Sequence, residues 1–216
     1  MKKKILIATA LFTAACALQL CGKKDNTTTT AEMDSLMSAK KMQMDHSMMQ
    51  SMGMTMGKMK VIKMTGDFDL DFASMMIMHH QAAIDMSEVE IAKGTDEHIK
   101  TMARNIITAQ KEEIVQLNGF INNYKRPEAN KNTEMHDELT ASMKTMMDTM
   151  DKTKMTDNTD RYFAMLMIPH HEGAVTMAKD ELRHGKQSGL LTMAQKMITD
   201  QTKEINEFEA WLSANK

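Results

Sequence analysis

Two pairs of adjacent histidines are the residues of this sequence best suited to metal chemistry. Each pair follows one methionine by three residues and precedes another by six, which gives eight candidate ligands: Met76, His79, His80, Met86, Met167, His170, His171 and Met177. Imidazole nitrogen binds copper, zinc, nickel or iron, whereas thioether sulfur is a soft ligand that favours Cu(I). Methionine and histidine together, without cysteine, therefore predict a copper site, and Cu(I) is the better match.

The spacing of these residues suits a helix. At about 100° per residue, Met76 and His79 lie roughly 60° apart on one face, and Met86 returns beside His79 two turns later. Adjacent histidines point about 100° apart, so one helix cannot easily aim both at a single ion. We therefore expect one histidine of each pair to face the interior of a bundle. The other is expected to serve a second site or a neighbouring helix.

The histidine pairs belong to an internal duplication with an offset of 91 residues. Between residues 69–121 and 160–212, 19 of 53 positions are identical, and the alignment needs no gap. The offset also relates methionines further upstream, such as Met52 and Met143. Each unit is thus predicted to contain a methionine-rich helix, a histidine helix and a third helix, and to repeat one function.

The predicted fold is all-α, because no segment shows the alternation of a strand and aromatic residues make up only 4% of the chain. The first histidine helix should run from about Asp69 to Lys93, where Gly94 ends it, and the third helix to about Tyr124. The expected divisions are 1–21, a lipoprotein signal peptide; 22–66, a tether and methionine-rich segment; 67–126, the first unit; 127–157, a linker and second methionine-rich helix; and 158–216, the second unit.

The methionine-rich segments offer further soft donors. The candidates for a secondary metal site are Met44, His46, Met48, Met49, Met135 and His136. Methionines at helical spacing are also common core residues, because the thioether side chain adapts to irregular gaps. Both interpretations stay open for any single methionine here.

Polar residues interrupt the apolar stripe of the third helix at the same place in both units. They are Gln110, Glu113, Gln201 and Glu204. One hypothesis is that they accept hydrogen bonds from the histidine rings and so orient them. The alternative, that they bind backbone or the opposite helix, is equally open. Asp69 and Asp160 are interpreted as helix-start residues, and Pro169 should perturb the turn before His170.

The N-terminus has the features of an export signal. A basic start is followed by an apolar stretch from Ile5 to Leu20 and then by an abruptly polar tether. A cysteine at that boundary predicts a lipoprotein, with Cys21 favoured over Cys16 as the lipidated residue. Cleavage before Cys21 would leave no second cysteine for a disulfide or a thiolate site. Cleavage would also remove three lysines and take the formal net charge from −2 to −5 (24 basic and 29 acidic residues), which argues against nucleic acid as a partner.

The second unit resembles a known family. It contains Asp160-x-x-Phe163, then Met-Ile-Pro-His-His-x-Gly-Ala-Val-x-Met-Ala over residues 167–178, Gln201-x-x-Glu204-Ile205 and Trp211-Leu212. These motifs resemble domain-of-unknown-function family number 305. The resemblance implies a ferritin-like helical bundle whose methionines and histidines bind copper in the periplasm and support copper tolerance. The first unit has Met78 and Ala82 where the family usually has proline and glycine, so the two sites should differ locally.

We therefore expect a lipid-anchored protein of the bacterial cell envelope that sequesters or passes on copper. Its partners would be copper ions, the membrane and another copper-handling envelope protein, and a homo-oligomer is left open. Two other classes compete. A ferritin-like carboxylate oxidase would need paired Glu-x-x-His motifs, of which only Glu181-x-x-His184 is present. A methionine-rich docking scaffold would bind its partner without metal. We expect no enzymatic activity.

Overall fold

Five long helices form the described part of the chain. The computed structural model describes residues 48–50, 53, 57, 64–125 and 134–216, without the side chains of residues 134–136. The helices are α1 (Phe68–Lys93), α2 (Glu97–Asn123), α3 (Glu134–Lys152), α4 (Thr159–His184) and α5 (Ser188–Ala214). Residues 48–50, 53 and 57 are helical as well, and the described ranges contain no strand. The predicted all-α bundle is confirmed.

The two units form two helical hairpins that meet through their histidine helices. Helix α1 packs along α2, and α4 packs along α5. Between the hairpins, α1 contacts α4, and α3 lies mainly against α4. The two histidine helices are therefore at the centre of the bundle. Among the described residues, no helix is long and apolar enough to cross a membrane.

The histidine helices begin and end at equivalent residues. Asp67 caps α1 by accepting a hydrogen bond from the Leu70 amide at 3.2 Å. Asn158 caps α4 in the same way, with the Arg161 amide at 2.8 Å. The capping oxygens satisfy amides that have no acceptor within the helix. Both helices end at a glycine, at Gly94 and Gly185.

The side chains of Asp69 and Asp160 do not cap their own helices, as a helix-start residue would. Each lies in the first helical turn and accepts hydrogen bonds from the loop of the other unit. Asp160 binds the amides of Thr95 and Asp96, both at 2.8 Å, and Asp69 binds the loop before α5. Their position in the first helical turn follows from the sequence, whereas their contact with the loop of the other unit does not.

The core is built largely from methionine and aliphatic side chains. Helix α3 contributes Met143, Met146 and Met150, all buried. It approaches α4 closely at Gly173, where an added Cβ would lie 3.0 Å from the Met146 Cβ. Helix α4 continues through Pro169 without a break in its assignment. The methionine-rich stretch 134–152 therefore packs through a helical face, as its spacing predicts.

Candidate metal centre

All four histidines of the two pairs lie at the centre of the bundle with no exposed surface. The rings of His79 and His170 face each other across α1 and α4, with centroids 3.8 Å apart and planes inclined by 45°. Within each pair the rings point apart, with centroids separated by 6.3 Å in the first and 6.1 Å in the second. One histidine of each pair thus meets the other unit, and its neighbour points elsewhere.

The second histidine of each pair approaches a carboxylate of its own hairpin. The Nε2 atom of His80 lies 2.7 Å from Glu113 Oε2, and that of His171 lies 2.8 Å from Glu204 Oε2. Both contacts are short, but neither has the alignment of an N–H hydrogen bond. A small rotation of either group would align the contact as a hydrogen bond.

The ring nitrogens of the central pair have no hydrogen-bond partner among the described residues. Burial lowers the pKa of His79 well below its ordinary range, and the neighbouring His80 and His171 lower it further. The backbone of His170 raises this pKa, but by less than the other effects lower it. Burial, followed by His79 and His171, lowers the pKa of His170 in the same way. Both rings are therefore neutral at pH 7, the state in which imidazole binds metals.

The four methionines of the predicted sites are completely buried in the same core. They are Met76, Met86, Met167 and Met177. Among the described residues, no group of three or more His, Cys, Asp or Glu side chains is placed to hold a metal. The soft and borderline donors that this core contains are thioether sulfur and imidazole nitrogen.

The other predicted ligands are only partly among the described residues. Met48 is 1% exposed and belongs to the hydrophobic core, and Met49 packs partly buried against it. Met135 and His136 lie on the first turn of α3, but their side chains are outside the described part. Met44, His46 and the predicted lipidation site Cys21 lie outside the described residues.

The two glutamines of the apolar stripe are buried one turn away from the glutamates that approach the histidines. Gln110 is 3% exposed and Gln201 is 4% exposed. The Oε1 atom of each finds no donor among the described residues. The structure thus places Glu113 and Glu204, rather than the glutamines, in contact with histidine rings.

A group of buried acids is the feature that sequence reasoning missed. Glu90 and Glu181 are fully buried, and each lies beside an aspartate of the other unit, Asp160 and Asp69 respectively. All four residues are identical between the duplicated units. That shared acidic pattern was the available signal, since buried acids are rare unless they have partners.

The comparisons with known proteins agree with this architecture. The family model described as Domain of unknown function (DUF305) matches residues 69–212. A comparison with curated proteins finds no match. The structure of CopM in its Cu(II)-bound form is similar with 29% identity and a TM-score of 0.52, over 68% of this chain and 97% of that one. CopM in an Ag-bound form, obtained by soaking, is 30% identical with the same TM-score, over 68% of this chain and 95% of that one.

A third structure shows the shared fold alone. It is a putative secreted DUF305 protein from Streptomyces coelicolor, 22% identical with a TM-score of 0.55, and the match covers 70% of this chain and 95% of that one. The family match extends over both hairpins and both histidine pairs. This chain belongs to the DUF305 family.

Proposed function

We propose that this protein binds copper, most tightly as Cu(I), where its two histidine helices meet, and that it serves copper sequestration, transfer or tolerance. The observation that carries the proposal is the contact between His79 and His170. Both rings are fully buried, and their nitrogens lack hydrogen-bond partners among the described residues. Leaving such groups unpaired costs about 1–3 kcal/mol each, a cost that metal ligation would offset.

The donor set supports a soft monovalent ion. His79 and His170 would hold copper together with sulfur from Met76 and Met167, which lie one helical turn before them, and Met86 and Met177 would supply further thioethers. Soft sulfur ligands favour Cu(I) over harder ions. The similarity to CopM, whose structures include Cu(II)-bound and Ag-bound forms, supports copper binding and is compatible with a soft-ion site.

His80 and His171 would be ligands as well, and the acid beside each would orient its ring. Glu113 and Glu204 lie within 2.8 Å of the rings of His80 and His171. A carboxylate beside a ligating imidazole fixes the tautomer and makes the other nitrogen a better donor. We assign Glu113 and Glu204 this positioning role on either side of the central pair.

We place the protein in the bacterial cell envelope, held at a membrane by a lipid on Cys21 and facing the periplasm or the exterior. The basic and then apolar N-terminus, with a cysteine at its polar boundary, supports this location. Another copper-handling envelope protein would deliver or receive the metal there.

A binding role is preferred to catalysis by a carboxylate-bridged metal pair. In such oxidases, glutamate and histidine of one motif converge on the metals. Here Glu181 is paired with Asp69, whereas His184 contacts Glu138 at 3.0 Å. The two residues of that motif thus have different partners. A metal-free docking scaffold, in turn, would not require buried and unpartnered imidazoles.

The test is an anaerobic Cu(I) titration of residues 22–216 against a strong chromogenic chelator, with Zn(II) titrated in parallel. We expect Cu(I) to be retained against the chelator and Zn(II) to bind weakly. Replacing His79 and His170 together with alanine should abolish the tightest Cu(I) site, while the far-UV circular dichroism stays helical. His98→Ala is the matched control, because that histidine is exposed and lies outside the site.

The proposal fails if the chain does not compete for Cu(I) at all. It also fails if the double variant keeps the affinity of the parent protein, since the central histidines would then not be ligands. Loss of the site in the His98→Ala control would show that histidine content, rather than position, determines binding.

A further inference from the structure

Two aspartates connect the hairpins of the two units in opposite directions. From α4, Asp160 accepts the amides of Thr95 and Asp96 at 2.8 Å and the Thr95 hydroxyl at 2.9 Å. From α1, Asp69 accepts the amides of Lys186 and Gln187, both at 2.9 Å. Each aspartate therefore satisfies the loop that starts the last helix of the other unit. Hydrogen-bond donors of the opposite loop therefore surround both aspartates.

A fully buried glutamate lies beside each aspartate. An added Cβ at Gly94 would overlap the Glu90 carboxyl and lie 2.7 Å from Asp160 Oδ1, so these two carboxyl groups are neighbours. At Gly185 the equivalent Cβ would overlap the Glu181 carboxyl. Both oxygens of each glutamate lack a donor among the described residues. Two ionised carboxylates would have no donor to share, whereas a proton on the glutamate supplies one.

We propose that Glu90 and Glu181 are carboxylic acids in the folded protein at neutral pH, and that each donates its proton to the aspartate of the other unit. The Glu90–Asp160 and Glu181–Asp69 pairs, which we call the carboxyl clasps, then join the two hairpins by one proton each. The proton comes from solvent when the chain folds. A metal ion is a poorer occupant, because the aspartate oxygens already accept backbone N–H groups that a cation would displace.

The electrostatics of both clasps agree with this assignment. Burial, then the hydrogen bond and negative charge of Asp160, raises the pKa of Glu90 to about 9. Burial, then Asp69, raises the pKa of Glu181 to about 9. Burial alone would raise the pKa of Asp160, but the hydrogen bonds from Glu90, Asp96 and Thr95 outweigh it and lower that pKa.

Other charged groups near the clasps do not reverse the rise in the pKa of either glutamate. Lys100 of α2 favours ionisation of Glu90, whereas Asp96 at the start of α2 opposes it. Asp67, at the start of α1, opposes ionisation of Glu181. Burial is the largest effect at both glutamates, so both remain protonated at pH 7.

The clasps make stability depend on pH in a defined direction. A glutamate pKa that folding raises from 4.5 to about 9 means that the folded chain binds more protons than the unfolded chain between those values. The stabilising effect is therefore complete below pH 4.5 and is lost as pH rises towards 9. The two clasps act in the same direction, because both pKa values are raised.

The direct test is the infrared spectrum of the purified protein at pH 7, measured against Glu90→Gln and Glu181→Gln. We expect a carbonyl band of protonated carboxylic acid that each single variant reduces by about half. Glutamine keeps the shape and the donor of a neutral glutamate, so the variants should fold. Glu97→Gln, at a position where the side chain is 73% exposed, is the matched control and should leave the band unchanged.

A second measurement uses unfolding by denaturant between pH 5 and 9. Each variant should reduce by about one the number of protons taken up on folding, seen as a shallower fall of stability with pH. The control should keep the slope of the parent protein. A parent spectrum without a protonated-carboxyl band at pH 7 overturns the proposal, even if a variant fails to fold. An unchanged pH slope in the folded Glu90→Gln and Glu181→Gln variants overturns it as well.

Discussion

At the scale of single residues, the two central histidines, His79 and His170, combine burial with a lack of hydrogen-bond partners among the described residues. A buried polar group normally has a hydrogen-bond partner, and exceptions call for an explanation. His79 and His170 are such exceptions within the described part of the chain. Their lowered pKa values keep both rings neutral and free to donate a lone pair to a metal. Under the proposed function, metal ligation is the explanation for these unpaired rings.

The carboxylate of Glu113 should tune the affinity of the site without being a ligand itself. Replacing Glu113 with glutamine removes the negative charge 2.7 Å from His80 Nε2 but keeps the size of the side chain. We expect Cu(I) affinity to fall by about 10- to 100-fold, the range seen when such supporting groups are lost. Competition against a chromogenic chelator measures this change.

Glu112→Gln provides the control for this experiment, because the neighbouring side chain is exposed on the other face of α2. It removes the same charge from the same helix and should change affinity little. Equal losses in both variants would mean that overall charge, and not the contact with His80, determines affinity.

At the scale of helices and loops, the two glycines that end the histidine helices make room for buried acids. Gly94 has φ −65°, a value open to any residue, so backbone strain is not the reason for glycine. The reason is steric, since an added Cβ would overlap the Glu90 carboxyl. An added Cβ at Gly185 would likewise overlap the Glu181 carboxyl.

Gly94→Ala is therefore expected to destabilise the protein by about 1–3 kcal/mol, the usual cost of forcing extra atoms into a packed site. Gly119→Ala is the matched control, because Gly119 lies within α2 and an added Cβ there would meet nothing within 4 Å. In a helix, alanine is favoured over glycine by up to about 1 kcal/mol, so the control should be stabilising.

Chemical denaturation of both variants gives the two free energies of unfolding. Opposite signs for the two substitutions are the expected result. Stabilisation by Gly94→Ala would mean that the Glu90 carboxyl moves aside at no cost and that the close packing at this helix end is unimportant.

At the scale of the whole molecule, the candidate site belongs to neither duplicated unit alone. His79 comes from the first unit and His170 from the second, and their rings meet between α1 and α4. Asp69 and Asp160 likewise bind loops of the opposite unit. The duplication thus yields one central contact shared by two equivalent hairpins rather than two independent copies of it.

The isolated first hairpin, residues 64–125, should consequently fold only by association. Alone, it would expose the face of α1 that α4 covers and leave Asp69 without its cross-unit donors. A second copy could cover that face in the place of the related second unit. We expect helicity to rise with protein concentration, measured by circular dichroism together with sedimentation.

The tandem protein is the control, and its helicity should not depend on concentration. A hairpin that is fully helical as a dilute monomer would contradict the expectation. It would show that each unit has a sufficient core of its own and that contacts between the units contribute little to folding.

Much of the architecture follows from sequence alone, because hydrophobic periodicity and helix-ending residues are local signals. The first histidine helix was expected over residues 69–93 and is observed as Phe68–Lys93. The last helix of that unit was expected to reach about Tyr124 and ends at Asn123. The duplication likewise singled out the paired histidines, their flanking methionines, Glu113 and Glu204 as candidate site residues.

Only the tertiary structure decided which of these residues meet. Helical geometry shows that His79 and His80 point in different directions, but it does not show that His79 faces His170 while His80 faces Glu113. Likewise, Asp69 and Asp160 look like local helix-start residues until the opposite loop is in place. The physical reason is that periodicity specifies a face of a helix, whereas the crossing of two helices specifies the partner of that face.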